Sequence, residues 1–176
     1  MKEIEIKILD IDRKEIEEKL ASLGAEKVFE GEVNALFFDF EDRSIRRSNR
    51  TVRLRRMGDK CFLTVKSPVA HDDVKIKDEY ETEVSDIDSA RHILESIGMS
   101  VWIEMKKHRT TFRTDDASFE IDKHQDKYKH IPEFLEIESG DIETIYRYAE
   151  ILGFSKEDCR PWTVLDIDKN LRDNNR

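Results

Sequence analysis

Cysteine is scarce and unpatterned: Cys61 and Cys159 are the two thiols of a 176-residue chain, and no Cys-x-x-Cys pair points to a zinc or redox motif. A disulfide framework is not indicated, and this usage fits a reducing, cytoplasmic location. No apolar run approaches the length a bilayer requires, and the first residues are charged where a secretion signal would be basic and then greasy. No membrane association is expected. The five histidines show no His-Glu-x-x-His spacing, and there is neither a Gly-x-x-x-x-Gly-Lys phosphate loop nor a Gly-x-Ser-x-Gly nucleophile elbow. His71, His92, His124 and His130 read as surface residues, and His108 as outward-facing. An excess of positive charge is missing too. With 31 Lys and Arg against 40 Asp and Glu, the formal charge is −9, which argues against duplex nucleic acid as a partner.

What the chain has is charge of both signs. Charged residues make up 40% of it and hydrophobic ones 38%. Its length suits one domain, 1–176, with a real core. Three stretches share an order: a strand with alternate acids, an Asp-capped helix, then a glycine. The first runs from Glu3 through Asp12 to Gly24, with Glu15 placed to close a capping box and Ile16, Leu20 and Leu23 on one face. The second runs from Glu79, Glu81 and Glu83 through Asp86 to Gly98, its helix expected to bury Ala90, Ile93, Leu94 and Ile97. The third runs from Glu136 and Glu138 through Asp141 to Gly153, with Ile142, Ile145, Ala149 and Leu152 on its apolar stripe. Further strands are expected at Val28–Phe40, Thr51–Met57, Lys60–Lys66, Trp102–Arg113 and Ala117–Lys123, with hairpin turns at Arg56–Lys60 and Thr114–Ala117. Ser67–Asp73 reads as a mobile loop, and the final Asp-Asn-Asn-Arg as a fraying tail.

The decisive pattern is in the strands. Glu3, Glu5 and Lys7 alternate with Ile4, Ile6 and Ile8; Arg53 and Arg55 alternate with Val52 and Leu54; Glu120 and Asp122 lie opposite Phe119 and Ile121. One such strand has an ordinary solvated face. Several together, with amphipathic helices that need an apolar surface to cover, imply that the helices sit on the apolar faces of a closed antiparallel β-barrel, an α+β fold. Its charged faces then line the bore. Dry burial of so many ions is prohibitive, at several kcal/mol per ion even after relaxation, so they must pair with one another or hold charged ligands. Clustered carboxylates favour a hard divalent cation, and facing Arg and Lys favour phosphate oxygens. The basic run "DRSIRRSNR", with Arg43, Arg46, Arg47 and Arg50, is either an anion-attracting rim or a solvated loop.

In order along the chain, Glu3-x-Glu5-x-Lys7, Arg53-x-Arg55 in "TVRLRR", Lys66 closing "CFLTVK", the acids of "KDEYETEV", the basic "KKHRTTFR", Asp122 in "FEIDK" and "FLEIE" resemble the CYTH superfamily. These are the triphosphate tunnel metalloenzymes. The resemblance extends from Glu3 to about Gly153 and implies an eight-stranded tunnel, a small-molecule triphosphate substrate, and Mg²⁺ or Mn²⁺ as cofactor. It implies Glu3, Glu5, Asp122, Glu136 and Glu138 as metal-side acids. It further implies Lys7, Arg53, Arg55, Lys66, Lys77, Lys107, Arg109 and Arg113, with Glu79 and Glu81, around the substrate. Glu5, Lys7 and Glu136 are the candidates for catalysis. The expected activity is metal-dependent hydrolysis of a triphosphate. The alternatives are an adenylyl cyclase releasing pyrophosphate from ATP and a non-catalytic binder of polyphosphate or triphosphorylated RNA ends; a homodimer is left open.

Overall fold

The computed structural model describes residues 2–69 and 76–174, with the side chains of Lys2, Glu3, Val69, Ile76 and Lys77 outside that description. Among the described residues are eight β-strands and five α-helices, and every strand pairing given below is antiparallel. The chain divides into two compact units, Met1–Glu3 with Gly31–Lys107 and Ile4–Glu30 with His108–Arg176.

The first of these units is a meander. Strand β2 (Glu26–Phe40, from Gly31 onward) pairs with β3 (Thr51–Met57), β3 with β4 (Lys60–Val69), and β4 with β5 (Ile76–Val84). The β3–β4 turn is the expected one, with Met57 opposite Lys60 and Gly58 at φ +59°, the positive φ that a two-residue hairpin loop demands. Alternation then sorts the strands into two faces. Phe38, Val52 and Leu54 point to one side, where they form a buried cluster with Ala90 and Leu94 of α3 (Ile87–Ser96) and Met99 at the start of β6 (Met99–Arg113). Helix α3 begins where its sequence says, because Asp86 accepts from the N–H groups of Asp88 and Ser89, both at 2.9 Å. Its apolar stripe is narrower than expected: Ile93 and Ile97 are 63% and 61% exposed. A single helix on a sheet covers only the residues one turn apart that face it, here Ala90 and Leu94. A short helix, α2 (Ser44–Arg47), falls within the basic run.

In the other unit, β1 (Lys2–Ile8, from Ile4 onward) pairs with β8 (Phe134–Ser139), and β8 with β7 (Ser118–His124). Ile4, Ile6, Ile8, Phe119, Ile121, Leu135 and Ile137 are buried, as are Ile16 and Leu20 of α1 (Arg13–Ser22) and Ile145, Ala149 and Leu152 of α4 (Ile142–Leu152). Asp12 and Asp141 cap these helices by accepting from the N–H groups of Glu15 and Thr144. Glu15 does not close a capping box; its carboxylate takes Lys19 at 2.6 Å. Gly153 at φ +96° ends α4, where the Lys19 ammonium donates to the Leu152 carbonyl at 2.7 Å.

Two sequence expectations need correction. Ser67–Val69 continue strand β4 rather than opening a loop, and residues 70–75, which hold the rest of that loop and His71, lie outside the described residues. The tail carries a helix, α5 (Val164–Asn174), through Asp173 and Asn174, with residues 175 and 176 outside the described residues. Thr163 and Asp166 close it reciprocally, the Asp166 carboxylate accepting from the Thr163 N–H at 2.8 Å and the Thr163 hydroxyl from the Asp166 N–H at 3.2 Å. Ile167 is its buried anchor.

Burial predicts a contrast along α3. Leu94→Ala should lower stability by about 2–5 kcal/mol, whereas Ile93→Ala, one position earlier but exposed, should stay within about 0.5 kcal/mol. Urea unfolding midpoints of the two variants read this directly, and equal losses would contradict the helix orientation described.

Candidate functional site

The charged faces are ion-paired and in part buried. In the unit built on β1, β7 and β8, the ladder sets Lys7 opposite Glu136 and Glu5 opposite Glu138, and Glu136 in turn opposite Glu120. Lys7 also exchanges both backbone hydrogen bonds, each 2.8 Å, with Arg160. Its N–H and C=O therefore point away from β8, which makes Lys7–Glu136 and Glu5–Glu138 non-hydrogen-bonded pairs, the type that brings side chains closest. Two like-charged pairs thus stand face to face, an arrangement that is destabilising unless cations intervene.

Cations do intervene. The Lys7 ammonium, 3% exposed, lies 3.0 Å from Glu136 and 3.3 Å from Glu5. Burial works against its charge, but Glu136 and Glu5 outweigh that and hold the ammonium above its ordinary pKa. Its two carboxylate partners thus favour the charged form of Lys7. Arg109, also buried, donates through Nε (2.7 Å) and Nη2 (2.6 Å) to Asp122, which is 0% exposed, and its Nη1 pairs with Glu120. Burial opposes this charge as well, and Asp122 and then Glu120 raise the guanidinium far above its usual pKa. Oxygen atoms of Glu120, Asp122 and Glu136 lie within 4.8 Å of one another, close enough to share one metal ion. Lys7 and Arg109 thus stand among five carboxylates on these strands, Glu5, Glu120, Asp122, Glu136 and Glu138.

In the meander unit a second charged cluster spans β3, β4 and β5. Arg53, Thr64 and Glu81 form one cross-strand row, and Lys66 stands opposite Glu79. Lys66 reaches Glu79 at 2.7 Å; Arg55 donates from Nη2 to both oxygens of Glu81 at 3.0 and 2.9 Å; Arg53 lies 3.7 Å from Glu79 and from Glu81. The buried Thr64 hydroxyl donates to Glu81 at 2.6 Å. Arg53, Arg55 and Lys66 thus each lie against Glu79 or Glu81. Nε of Arg55 is buried with no hydrogen-bond partner among the described residues, a deficit of about 1–3 kcal/mol that an anion would relieve.

Glu5, Lys7, Asp122, Glu136, Glu138 and Arg109 thus gather in one unit, and Arg53, Arg55, Lys66, Glu79 and Glu81 in the other. Glu83, which shares the parity of Glu79 and Glu81, stays outside and pairs with the exposed Lys60 at 3.3 Å. Lys107 is half-buried on β6, and Arg113 is exposed at the end of that strand. The side chains of Glu3 and Lys77 lie outside the described residues. Glu120 is the residue missed among the candidates, although its parity with Asp122 in "FEIDK" already put it on the same face. One histidine is corrected: His124, read as a surface residue, is buried, stacked on Phe134 with Tyr128 at its edge. Both cysteines are free and buried, and among the described residues no helix is long and apolar enough to cross a membrane.

With this geometry in hand, comparison with known proteins is informative. The CYTH domain profile matches residues 1–159. The chain belongs to the CYTH family. Its CYTH relatives include a protein of Methanocaldococcus jannaschii named a putative adenylate cyclase, 26% identical over 122 residues, which are 69% of this chain and 70% of that one. Among solved structures, a Vibrio parahaemolyticus protein described as a putative adenylate cyclase superposes with a TM-score of 0.78 at 21% identity, covering 95% of this CYTH chain and 97% of its own. A Hippeastrum putative adenylyl cyclase, described as revealing a dominant triphosphatase activity, gives 0.59 at 18% identity over 89% and 87% of the two chains. At such identities these structures show a common fold, the eight-stranded antiparallel CYTH architecture.

If the acid triad of this CYTH domain holds a metal, Glu120→Gln should weaken Mn²⁺ binding at least about tenfold in calorimetric titration. Glu83→Gln, on the surface pair, should leave it unchanged. Wild-type affinity in Glu120→Gln would remove that carboxylate from the site.

Proposed function

We propose that this protein hydrolyses a triphosphate with the help of a divalent cation. The observation that carries the reading is the carboxylate triad Glu120–Asp122–Glu136, two of the three buried, with Lys7 and Arg109 at its edges, acids and cations in one place. The three donors are hard carboxylate oxygens, with neither thiol nor imidazole among them, which fits Mg²⁺ or Mn²⁺ better than zinc. When bound, the ion supplies Lewis-acid stabilisation of charge at the reacting phosphorus.

The protein's own residues do the rest. In the free protein Lys7 and Arg109 neutralise part of the acid cluster; with substrate present, phosphate oxygens take over as partners of the same ammonium and guanidinium. Within the meander unit, Arg53, Arg55 and Lys66 are phosphate-type cations, and the open Nε of Arg55 is a donor already desolvated for an oxyanion. A carboxylate, Glu136 or Glu5, each ion-paired to Lys7, orients the attacking water. Phosphoryl transfer needs little beyond such positioning and charge stabilisation.

A second reading, adenylyl cyclase, is favoured by the name of the M. jannaschii relative. There the ribose hydroxyl attacks the α-phosphorus and pyrophosphate leaves. Hydrolysis ranks first because its nucleophile is always at hand. Purified protein incubated with ATP, thiamine triphosphate or tripolyphosphate and Mg²⁺ or Mn²⁺ should release orthophosphate; cyclic AMP with pyrophosphate would establish the cyclase instead, and tight binding without product a silent binder. Glu136→Gln should cut turnover at least about a hundredfold with the fold intact by circular dichroism. Arg55→Ala should raise KM about tenfold.

A further inference from the structure

Beside the basic cluster of the meander unit sits a group of side chains that phosphate chemistry leaves unexplained. Asp39, 1% exposed near the end of β2, accepts from the backbone N–H groups of Phe40 (2.9 Å), Ile45 (3.0 Å) and Arg46 (3.3 Å) and from Nε of Arg46 (2.9 Å). Burial disfavours this carboxylate's charge, but Arg46 and the three N–H groups outweigh it and hold the pKa below the usual range. The clamp is therefore ionised at neutral pH. It holds the basic run and places the Arg46 guanidinium over the Trp102 indole, Cζ 4.0 Å from the ring centroid. Phe37 meets the same indole edge-on, centroids 6.3 Å apart at 64°.

Position makes this group informative. Phe37 is the cross-strand partner of Arg53, so the aromatic group begins one side chain from the phosphate-type cations. The surface is not sealed: Phe37 and Trp102 are half-buried, and the Arg46 side chain is 36% exposed. Asp39 engages only Nε, and among the described residues the two Nη nitrogens of Arg46 have no hydrogen-bond partner. A partly exposed aromatic group with N–H donors against it is chemistry for a heterocycle bearing hydrogen-bond acceptors.

We propose that Trp102, Phe37 and Arg46 seat the base of a nucleoside triphosphate whose phosphates engage Arg53, Arg55 and Lys66. This inference rests on the triphosphate reading above and narrows its substrate class. Inorganic triphosphate has nothing to place on the aromatic surface. Thiamine triphosphate carries a cationic ring that the fixed Arg46 charge repels. A neutral nucleobase both stacks and accepts from the Nη nitrogens.

The test compares ligands with and without a base. Binding of ATP, thiamine triphosphate and tripolyphosphate with Mg²⁺ is measured by calorimetry, and by fluorescence in a Trp162→Phe background, which leaves Trp102 as the remaining one of two tryptophans. ATP should quench Trp102 where tripolyphosphate does not. Trp102→Ala and Arg46→Ala should each raise the ratio of Kd for ATP to Kd for tripolyphosphate about tenfold, with Trp102→Phe restoring most of it. Circular dichroism confirms that each variant folds, and Arg46→Ala carries the test should Trp102→Ala fail to. An unchanged ratio, or equal loss of both ligands, overturns the base seat and leaves hydrolysis standing. A raised ratio without turnover overturns hydrolysis and leaves the seat standing. Binding of none of the three ligands overturns both.

Discussion

Carboxylates set directly opposite one another are the constraint on which the site depends. In the β1–β8–β7 ladder, Glu5 faces Glu138 and Glu136 faces Glu120. Two like-charged pairs on one face would ordinarily be selected against, because each costs stability without return. Lys7 and Arg109 make the arrangement tolerable: they are buried, held charged by the acids around them, and shared between neighbours rather than matched one to one. Since buried ion pairs seldom outperform apolar packing, stability alone is a poor reason for this cluster. A site that must exchange its internal cations for a metal and its internal anions for phosphate gives a better one.

The rest of each unit is arranged so that these charges can be buried at all. Alternation along β1 puts Ile4, Ile6 and Ile8 on the face away from Lys7, and along β3 it puts Val52 and Leu54 away from Arg53 and Arg55. The apolar faces carry the core, with α3 on β3 and β4 and α4 on β8. The hydrophobic driving force is thus spent behind the strands, leaving the charged faces to be decided by chemistry. Backbone pairing supplies the precision. Lys7 is fixed on one edge by Arg160 and on the other by β8, so the ammonium is positioned by two independent partners of a single strand.

Much of this was legible in the sequence because period-two alternation is a strong signal when it recurs. The order of acids and bases from Glu5 to Glu138, the three Asp caps and the glycines that end their helices were all readable, since each follows from local rules. What was not readable depended on neighbours distant in sequence. Ile93 and Ile97 fit the helical stripe of α3 but lack a surface to cover. His124 looks like any polar residue at a strand end until Phe134 is found stacked on it. Helix α5 is a different case. Its signal, Thr163-x-x-Asp166 followed by Ile167 and Leu171, was present, but the tail composition suggested fraying and hid it. Glu120 lies on the correct face by parity with Asp122 alone, but the family pattern singles out Asp122 in that strand and not its neighbour.

The division of labour between strands and the segment after β2 also bears on specificity. Cations and acids that would meet phosphates and metal stand on strands, where register fixes them to within a side chain's reach. Arg46 stands on the short helix α2 between β2 and β3, where sequence can vary without disturbing a ladder. Such a segment is useful for recognition only if it is held still, and Asp39 does that with four hydrogen bonds from a buried position. A solvated basic loop would need no such anchor: Arg47, which pairs with the exposed Asp42 at 3.4 Å, shows what an ordinary surface arginine in this run looks like. The difference between Arg46 and Arg47, neighbours in sequence, is therefore the difference between a guanidinium placed against an aromatic face and one left to the solvent.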